Sequence, residues 1–327
     1  MRRRQFITLA GGAVITSASA WPFVARAQST PPAPSASSGA FPNQTVRIVV
    51  PVTAGSTADI LARVLADKLA PIWNQSVIVE NRPGVAGISS VAKGPADGYN
   101  VMLTSNGHSA VGVLNKGLAF DPVSDLIGVA QVAVIPLVLI VPLTLQAATV
   151  NELIGLAKAK PGELNFASAG LGSTSHLAGE VFRRSAGIDI RHVPYRGAES
   201  VMSVMRGDTQ MTFSPAPVAL ELINTGKVRA IAVVNGSRVP TLPNVPTFRE
   251  AGAPEFNYNA WFGLFAALKT PKPIVDRIAA GTRQVLETPE VKKYLAQQGA
   301  DAVFIGADAF DRIVKADAAR YGTMLVN

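Results

Sequence analysis

The chain has no cysteine in 327 residues. That excludes disulfide staples, thiolate metal sites and cysteine nucleophiles together, so stability must come from the core alone. Histidine is nearly as scarce: His108, His176 and His192 stand far apart, without metal-ligand spacing. Charged residues are 16 % of the chain and are dispersed, which is no footprint for nucleic acid. No long apolar run is present beyond the first residues. The stretch Ile135 to Leu145 is interrupted by Pro136 and Pro142, too short and too kinked to cross a bilayer. No G-x-x-x-x-G-K-[ST] occurs, and Gly170-Leu171-Gly172 continues into Ser173-Thr174-Ser175 rather than completing G-x-G-x-x-G. Nucleotide and metal chemistry therefore have no sequence support, and no cofactor is expected.

What is present begins at the N-terminus. Arg2-Arg3-Arg4 precedes Gln5-Phe6-Ile7, an apolar run from Leu9 to Ala20 follows, and Ala25-Arg26-Ala27 closes the segment with small residues at the cleavage positions. This reads as a cleavable export signal over 1–27, with the arginine pair of the twin-arginine type. With no cysteine after the apolar run, a lipoprotein is excluded, and the mature chain is expected to begin near Gln28 in a periplasm. The signal holds Arg2, Arg3, Arg4 and Arg26 and no acid, so its removal takes four charges from the formal +8 and leaves about +4. Residues 28–40 (QSTPPAPSASSGA) have nothing to bury and read as a disordered leader.

From Val46 the pattern becomes regular. Val46 to Pro51 is a β-branched run, Ala58 to Ala70 aligns Ile60, Leu61, Val64, Leu65 and Leu69 on one helical face, and Ser76 to Val79 and Tyr99 to Thr104 read as further strands. After Pro142 the alternation restarts. Thr149-Val150-Asn151-Glu152 is a capping box that opens a helix ending at Pro161-Gly162. Strands follow at Leu164 to Ala167, Ile190 to Val193, Met211 to Ser214 and Val228 to Val234. Helices lie at Thr174 to Ser185, Ala198 to Arg206 and Val218 to Thr225. The tail is helical over Ile274 to Leu286, Pro289 to Gln298 and Asp308 to Leu325. Strand and helix alternate twice, which argues an α/β protein of two lobes, each a mostly parallel sheet flanked by helices.

Each lobe opens with the same device, a strand running through a small, hydroxylated, glycine-containing loop into a helix. The first loop is Val52-Thr53-Ala54-Gly55-Ser56-Thr57; the second is Ser168-Ala169-Gly170-Leu171-Gly172-Ser173-Thr174-Ser175. Free N–H groups and the helix dipole favour an anion at such a terminus, and such loops sit at the ligand-binding ends of open sheets. Two of them across a cleft would hold a molecule with an anionic group at each end, such as a dicarboxylate. Either loop alone is also accounted for by ordinary N-capping. Asp59 in a first helical turn satisfies the dipole or meets a ligand ammonium. Trp261-Phe262 packs in a core or hinge, or stacks on a ligand. A hydrolase using Ser168 or Ser173 with His176 lacks the first glycine of the nucleophile turn.

The ordered motifs resemble the extracytoplasmic solute-binding proteins of the tripartite tricarboxylate transporter family, the Bug receptors. They are Pro51 to Asp59 with Arg63, Val79-Glu80-Asn81-Arg82-Pro83-Gly84, Ala96-Asp97-Gly98-Tyr99, Phe120-Asp121-Pro122, Ala157 to Gly162 and Ala167 to Leu177. Val193-Pro194-Tyr195-Arg196-Gly197, Leu242 to Thr247 and Ala260-Trp261-Phe262-Gly263 complete the set. The resemblance implies a type II periplasmic binding protein, non-catalytic and monomeric, with lobe one over 41–138 plus 260–327 and lobe two over 139–259. It would close on a small carboxylate like a hinged trap and deliver it to a permease with one large and one small membrane component. A signalling role, presenting the closed form to a sensor kinase, is the alternative. Carried over, the ligand contacts fall on Ala54, Gly55, Ser56, Thr57 and Asp59 from lobe one, and on Ser168, Gly170, Gly172, Ser173, Thr174 and His176 from lobe two. Thr104, Ser105, Phe213, Ser214 and Tyr195 would line the variable part, with Phe213 and Trp261 as candidate walls for an aromatic acid. Two departures stand out: Ala54-Gly55 replaces a frequent Gly-Gly pair, and Glu199 stands where small residues are common, at the start of a solvent-facing helix.

Overall fold

The computed structural model describes residues 41–325, except 235–236, 254–255, 257 and 259. The expected export signal and leader lie outside the described residues.

The first lobe begins with β1 (Val46–Val50), α1 (Thr57–Trp73), β2 (Val77–Asn81), α2 (Val85–Ala92) and β3 (Asn100–Ser105). A 3-10 turn (Asn106–Ala110), the short α3 (Val111–Leu114) and β4 (Leu126–Val134) follow. The chain then crosses to the second lobe: β5 (Leu137–Val141), α4 (Val150–Ala159), β6 (Asn165–Ser168), α5 (Thr174–Ser185) and β7 (Arg191–Pro194). That lobe is completed by α6 (Glu199–Arg206), β8 (Met211–Pro215), α7 (Ala216–Asn224) and β9 (Arg229–Val234). The return leg is β10 (Trp261–Ala267), α8 (Lys272–Glu287), α9 (Pro289–Gln297), β11 (Asp301–Gly306) and α10 (Ala307–Leu325).

The two sheets follow one plan. Strand order is β11-β4-β10-β3-β1-β2 in the first and β7-β6-β8-β5-β9 in the second. In each, three parallel strands carry the helical crossovers, β2-β1-β3 and β7-β6-β8. In each, the strand entering from the other lobe, β10 or β5, then pairs antiparallel beside the third. The sheets are therefore mixed rather than mostly parallel. The additional strands β4, β10 and β11 run antiparallel to their neighbours, and of these β10 is the one that enters from the other lobe. These three strands were not anticipated; their sequences are buried on both faces or irregularly, so no alternation marks them.

The apolar run near Ile135 is β5, whose Leu137, Leu139 and Val141 enter one core and Val138 and Ile140 another. A strand covered on both faces needs no polar residue, which explains a run that spans nothing. Among the described residues no helix is long and apolar enough to cross a membrane. The crossover lies at Ile135-Pro136, between β4 and β5, rather than at 138/139. The C-terminal helix also departs from a clean lobe division. Its 19 residues extend about 28 Å. Phe310 and Val314 enter the lobe-one core with Met102 and Phe265, whereas Tyr321, Met324 and Leu325 pack on the lobe-two core.

Candidate ligand-binding cleft

Loops β1–α1 and β6–α5 occupy equivalent places, each leaving the middle strand of its parallel trio. That is the switch point where open α/β sheets bind ligands. In the first loop Ser56 caps α1, its Oγ accepting from Asp59 N at 3.3 Å. Asp59 is 3 % exposed and fully engaged. Its carboxylate accepts from Gly55 N at 2.9 Å, Arg63 Nε at 3.0 Å and Asn81 Nδ2 at 3.0 Å. Burial opposes its ionisation, but the hydrogen bonds from Arg63, Gly55 and Asn81 prevail and hold the carboxyl below its usual range. Asp59 is a strut that shapes the loop, not a contact for a ligand ammonium.

The second loop is built the same way. Ser173 caps α5, accepting from His176 N at 3.3 Å. Ala169 N donates to Ser175 Oγ at 2.9 Å, Gly170 N to Ser168 Oγ at 3.1 Å and Gly172 N to His176 Nδ1 at 3.1 Å. The glycine N–H groups are thus spent inside the loop. The first three N–H groups of each helix have no helix carbonyl to bond; the serine cap takes the third, which leaves those of Thr57 and Ala58 on α1 and of Thr174 and Ser175 on α5.

These termini line facing walls of an interlobe cleft of about 450 Å³, within the usual range of ligand sites. Ser56, Thr57, Thr104, Ser105, Gly170, Gly172, Ser173, Thr174 and Tyr195 line it as expected positions. Seven others do not. Ala54 and Gly55 are exposed beyond its edge, and Asp59, Ser168 and His176 are buried beneath the loops. Phe213 points into the lobe-two core against Phe182 and Phe248, because β8 alternates and Met211 and Phe213 share the α5 face. Ser214 is buried one residue short of the wall, which Pro215 supplies. Trp261 is likewise internal, its Nε1 donating to Asp317 Oδ2 at 2.7 Å. On the lobe-one wall the aromatic is its neighbour Phe262, in register with Ser105 across β10 and β3.

Sequence reasoning missed an apolar wall on lobe one made by Val85, Ile88, Val111, Leu114 and Phe262. Helical apolar residues after β2 and β3 look like core until the sheets are assembled. It also missed Arg196, one residue beyond Tyr195 in a motif already in hand. Arg196 is the one cation among the lining residues, and no carboxylate stands with it there.

The lobes touch at both ends of the cleft. At the floor, Gly107 of lobe one packs against Gly172 of lobe two so closely that a Cβ on Gly107 would lie 2.0 Å from the Gly172 carbonyl oxygen. At the mouth, a Cβ on Gly197 would lie 3.6 Å from Thr53 Oγ1. Behind the floor a buried polar network joins the lobes through α10. Asn106 Nδ2 donates to Tyr321 Oη at 3.0 Å, Thr174 Oγ1 donates to Asn106 Oδ1 at 3.3 Å, and Tyr258 Oη donates to Thr174 O at 3.0 Å. The Thr174 hydroxyl is therefore committed to the hinge, leaving its N–H for the cleft. Burial pushes the Tyr258 and Tyr321 hydroxyls and the Asp317 carboxyl up, so each favours its neutral form.

The histidines serve packing. Burial, then the neighbouring His192, pushes His176 down to about 4, and its ring lies 4.2 Å from that of His192. Ser168 Oγ is 2.6 Å from His192 Nε2, so the serine pairs with His192 and not with His176. At 0 % exposure it is closed to any substrate. His108 is pushed down to about 4 by burial, its ring 4.8 Å from that of Phe265 and tilted by 55° to it. Neither of its ring nitrogens makes a good hydrogen bond among the described residues, although the Pro122 carbonyl and Asp121 favour its charged form. Among the described residues no group of three or more His, Cys, Asp or Glu could hold a metal.

Two mixed α/β lobes around a cleft of this kind define a two-lobed solute-binding receptor. The chain belongs to the tripartite tricarboxylate transporter family receptors (TctC), whose family model matches residues 61–327. BugT of Bordetella pertussis is 34 % identical over 278 residues, 83 % of this chain and 85 % of BugT. Among solved structures, R. palustris Rpa4515 with adipate is 33 % identical with TM-score 0.79, over 87 % of this chain and 97 % of that one. MatC from Rhodopseudomonas palustris with bound malate is 29 % identical with TM-score 0.78, over 87 % of this chain and 100 % of that one. Members of this family are periplasmic solute-binding receptors, not enzymes.

Proposed function

We propose that the protein captures a small organic acid, most simply a di- or tricarboxylate, and delivers it to a tripartite tricarboxylate transporter permease of one large and one small membrane component. The observation that carries this reading is the pair of helix N-termini, α1 and α5, on facing walls of a cleft that holds one cation and no carboxylate. Their open N–H groups, with the dipoles behind them, favour an anionic group. Ser56, Thr57, Ser173 and Thr174 would hold it, with Thr104, Ser105 and Tyr195 beside the rest of the ligand. Binding to both lobes at once favours the closed arrangement, since a bridging ligand loses half its contacts when the lobes part. That relatives were solved with adipate and with malate supports an acid here. Residues 1–27 would direct export and be removed, and the closed monomer would dock on the permease.

A thermal-shift screen of the purified protein against carboxylates, acidic amino acids and neutral vitamins tests this. Ligand that binds only the folded state raises the melting temperature by mass action. A shift with a carboxylate supports the reading. A shift with a neutral compound and with no acid would mean that these termini merely cap their helices.

A further inference from the structure

Resting on that acid-binding reading, we infer that His176 is a positioning residue that assigns the ligand's negative charge to lobe two. It does at the head of α5, without charge, what a carboxylate does at the head of α1. The two heads correspond residue for residue. Ser56 and Ser173 are the caps, Gly55 and Gly172 precede them, and Asp59 and His176 are the third residues of the helices. In each head that third residue reaches back to the N–H before the cap. Asp59 Oδ2 accepts from Gly55 N at 2.9 Å, and His176 Nδ1 accepts from Gly172 N at 3.1 Å. The helix α4, which does not line the cleft, uses the same device with an acid. Beside its Thr149 cap, Glu152 Oε2 accepts from Ala148 N at 2.7 Å. A carboxylate is the ordinary residue in that place, because it satisfies the loop N–H and the positive end of the dipole together. At an anion site it has a cost: the dipole is already answered, and an incoming acid meets a like charge.

The head of α5 escapes that cost. Nδ1 can accept from Gly172 only as an unprotonated ring nitrogen, so the imidazole is neutral in this arrangement. The ring packs against Phe166 of β6 and His192 of β7, and among the described residues no acid bonds to it. The loop is thus held as firmly as in lobe one while the dipole stays free. Thr174 and Ser175 offer their N–H groups with that field behind them. Thr57 and Ala58 offer theirs above the buried carboxylate of Asp59. Its partner Arg63 has an exposed side chain, so solvent screens the compensating charge. The acid's charge is therefore held chiefly by lobe two, and α1 adds hydrogen bonds when the lobes close.

Isothermal titration of the purified protein and three variants with adipate, malate and citrate tests this, at pH 8 so that His192 is neutral. Asparagine and aspartate are alike in size, and Asp59 shows that a side chain of that length reaches the N–H before the cap. His176→Asn and His176→Asp therefore share any loss of packing and differ by one charge. For the acid that the unaltered protein binds most tightly, His176→Asp should bind at least about tenfold more weakly than His176→Asn, the effect of a like charge about one helical turn away. Asp59→Asn keeps an acceptor for Gly55 and should bind that acid at least as tightly as the unaltered protein. Equal affinities of the two His176 variants overturn the inference. So does a tenfold loss in Asp59→Asn that still melts cooperatively, and that variant decides alone if neither His176 variant folds. None of these results touches the acid-binding reading, which the unaltered protein tests by itself. If it binds none of the three acids, that reading fails, and this inference with it.

Discussion

Replacing Gly107 with alanine should weaken ligand binding far more than it destabilises the empty protein. The new Cβ would lie 2.0 Å from the Gly172 carbonyl oxygen and 3.2 Å from its carbon. An ordinary contact to oxygen is more than about 1 Å longer, and both partners are backbone, so neither can swing aside. Gly107 stands on lobe one and Gly172 on lobe two, so parting the lobes relieves the clash. The methyl group therefore acts on the closed form, at the cost of about 1–3 kcal/mol typical of an overpacked contact. That is roughly a 5- to 150-fold loss of apparent affinity for a ligand that needs closure. Titration with adipate would measure the affinity, calorimetry without ligand would measure stability, and small-angle scattering would follow the opening. Unchanged affinity in Gly107→Ala would refute the reasoning. A melting temperature reduced without ligand by as much as the binding loss would show the contact to be fixed core packing instead.

Three further outcomes follow from the same structure. His108 and His176 are held neutral, with their pKa values lowered from the usual range to about 4. The unfolded chain then takes up protons first, so stability is complete above about pH 6.5 and is lost as the pH falls, by about 3 kcal/mol for each histidine at pH 4; urea denaturation at pH 7 and pH 4.5 would read the slope. Asp59→Ala removes the acceptor shared by Gly55 N and Asn81 and should cost about 1–3 kcal/mol, together with some ligand affinity as the loop loosens; thermal melts and titration of the variant check both. Ser173→Ala deletes the cap of α5 and should cost about 1 kcal/mol of stability, seen as a lower melting temperature, while Ser173→Glu sets a fixed carboxylate at that terminus and should abolish acid binding, read by titration.

Helices with a clean apolar stripe and a cap were legible to within three residues, the largest miss being the end of α1, which runs past Ala70 to Trp73. The strand-to-helix loops were legible because each runs through glycine to a serine cap and an apolar-striped helix, and α8, α9 and α10 stood out by periodicity. The central strands β4, β5 and β10 were harder, since burial on both faces removes the alternation that marks a strand. At the site, the residues facing the cleft directly from a loop terminus were found, and those reached by knowing which side of a strand faces which lobe were not. Phe213 and Phe262 are alike in composition and opposite in placement, because each follows the phase of its own strand. Gly170 and Gly172 carried a misleading signal: their flexibility builds the loop, but their N–H groups bond Ser168 and His176 rather than remaining free. Arg196 was passed over because a single exposed arginine in a turn has no local mark of function.

The central claim is that an acid is held between the N-termini of α1 and α5. A crystal structure of the protein with adipate bound tests it most directly. The account predicts one carboxylate within hydrogen-bonding distance of the N–H groups of Thr57 or Ala58 and of Thr174 or Ser175 together. A ligand whose acid group sits away from both helix termini, or touches only one lobe, would contradict it.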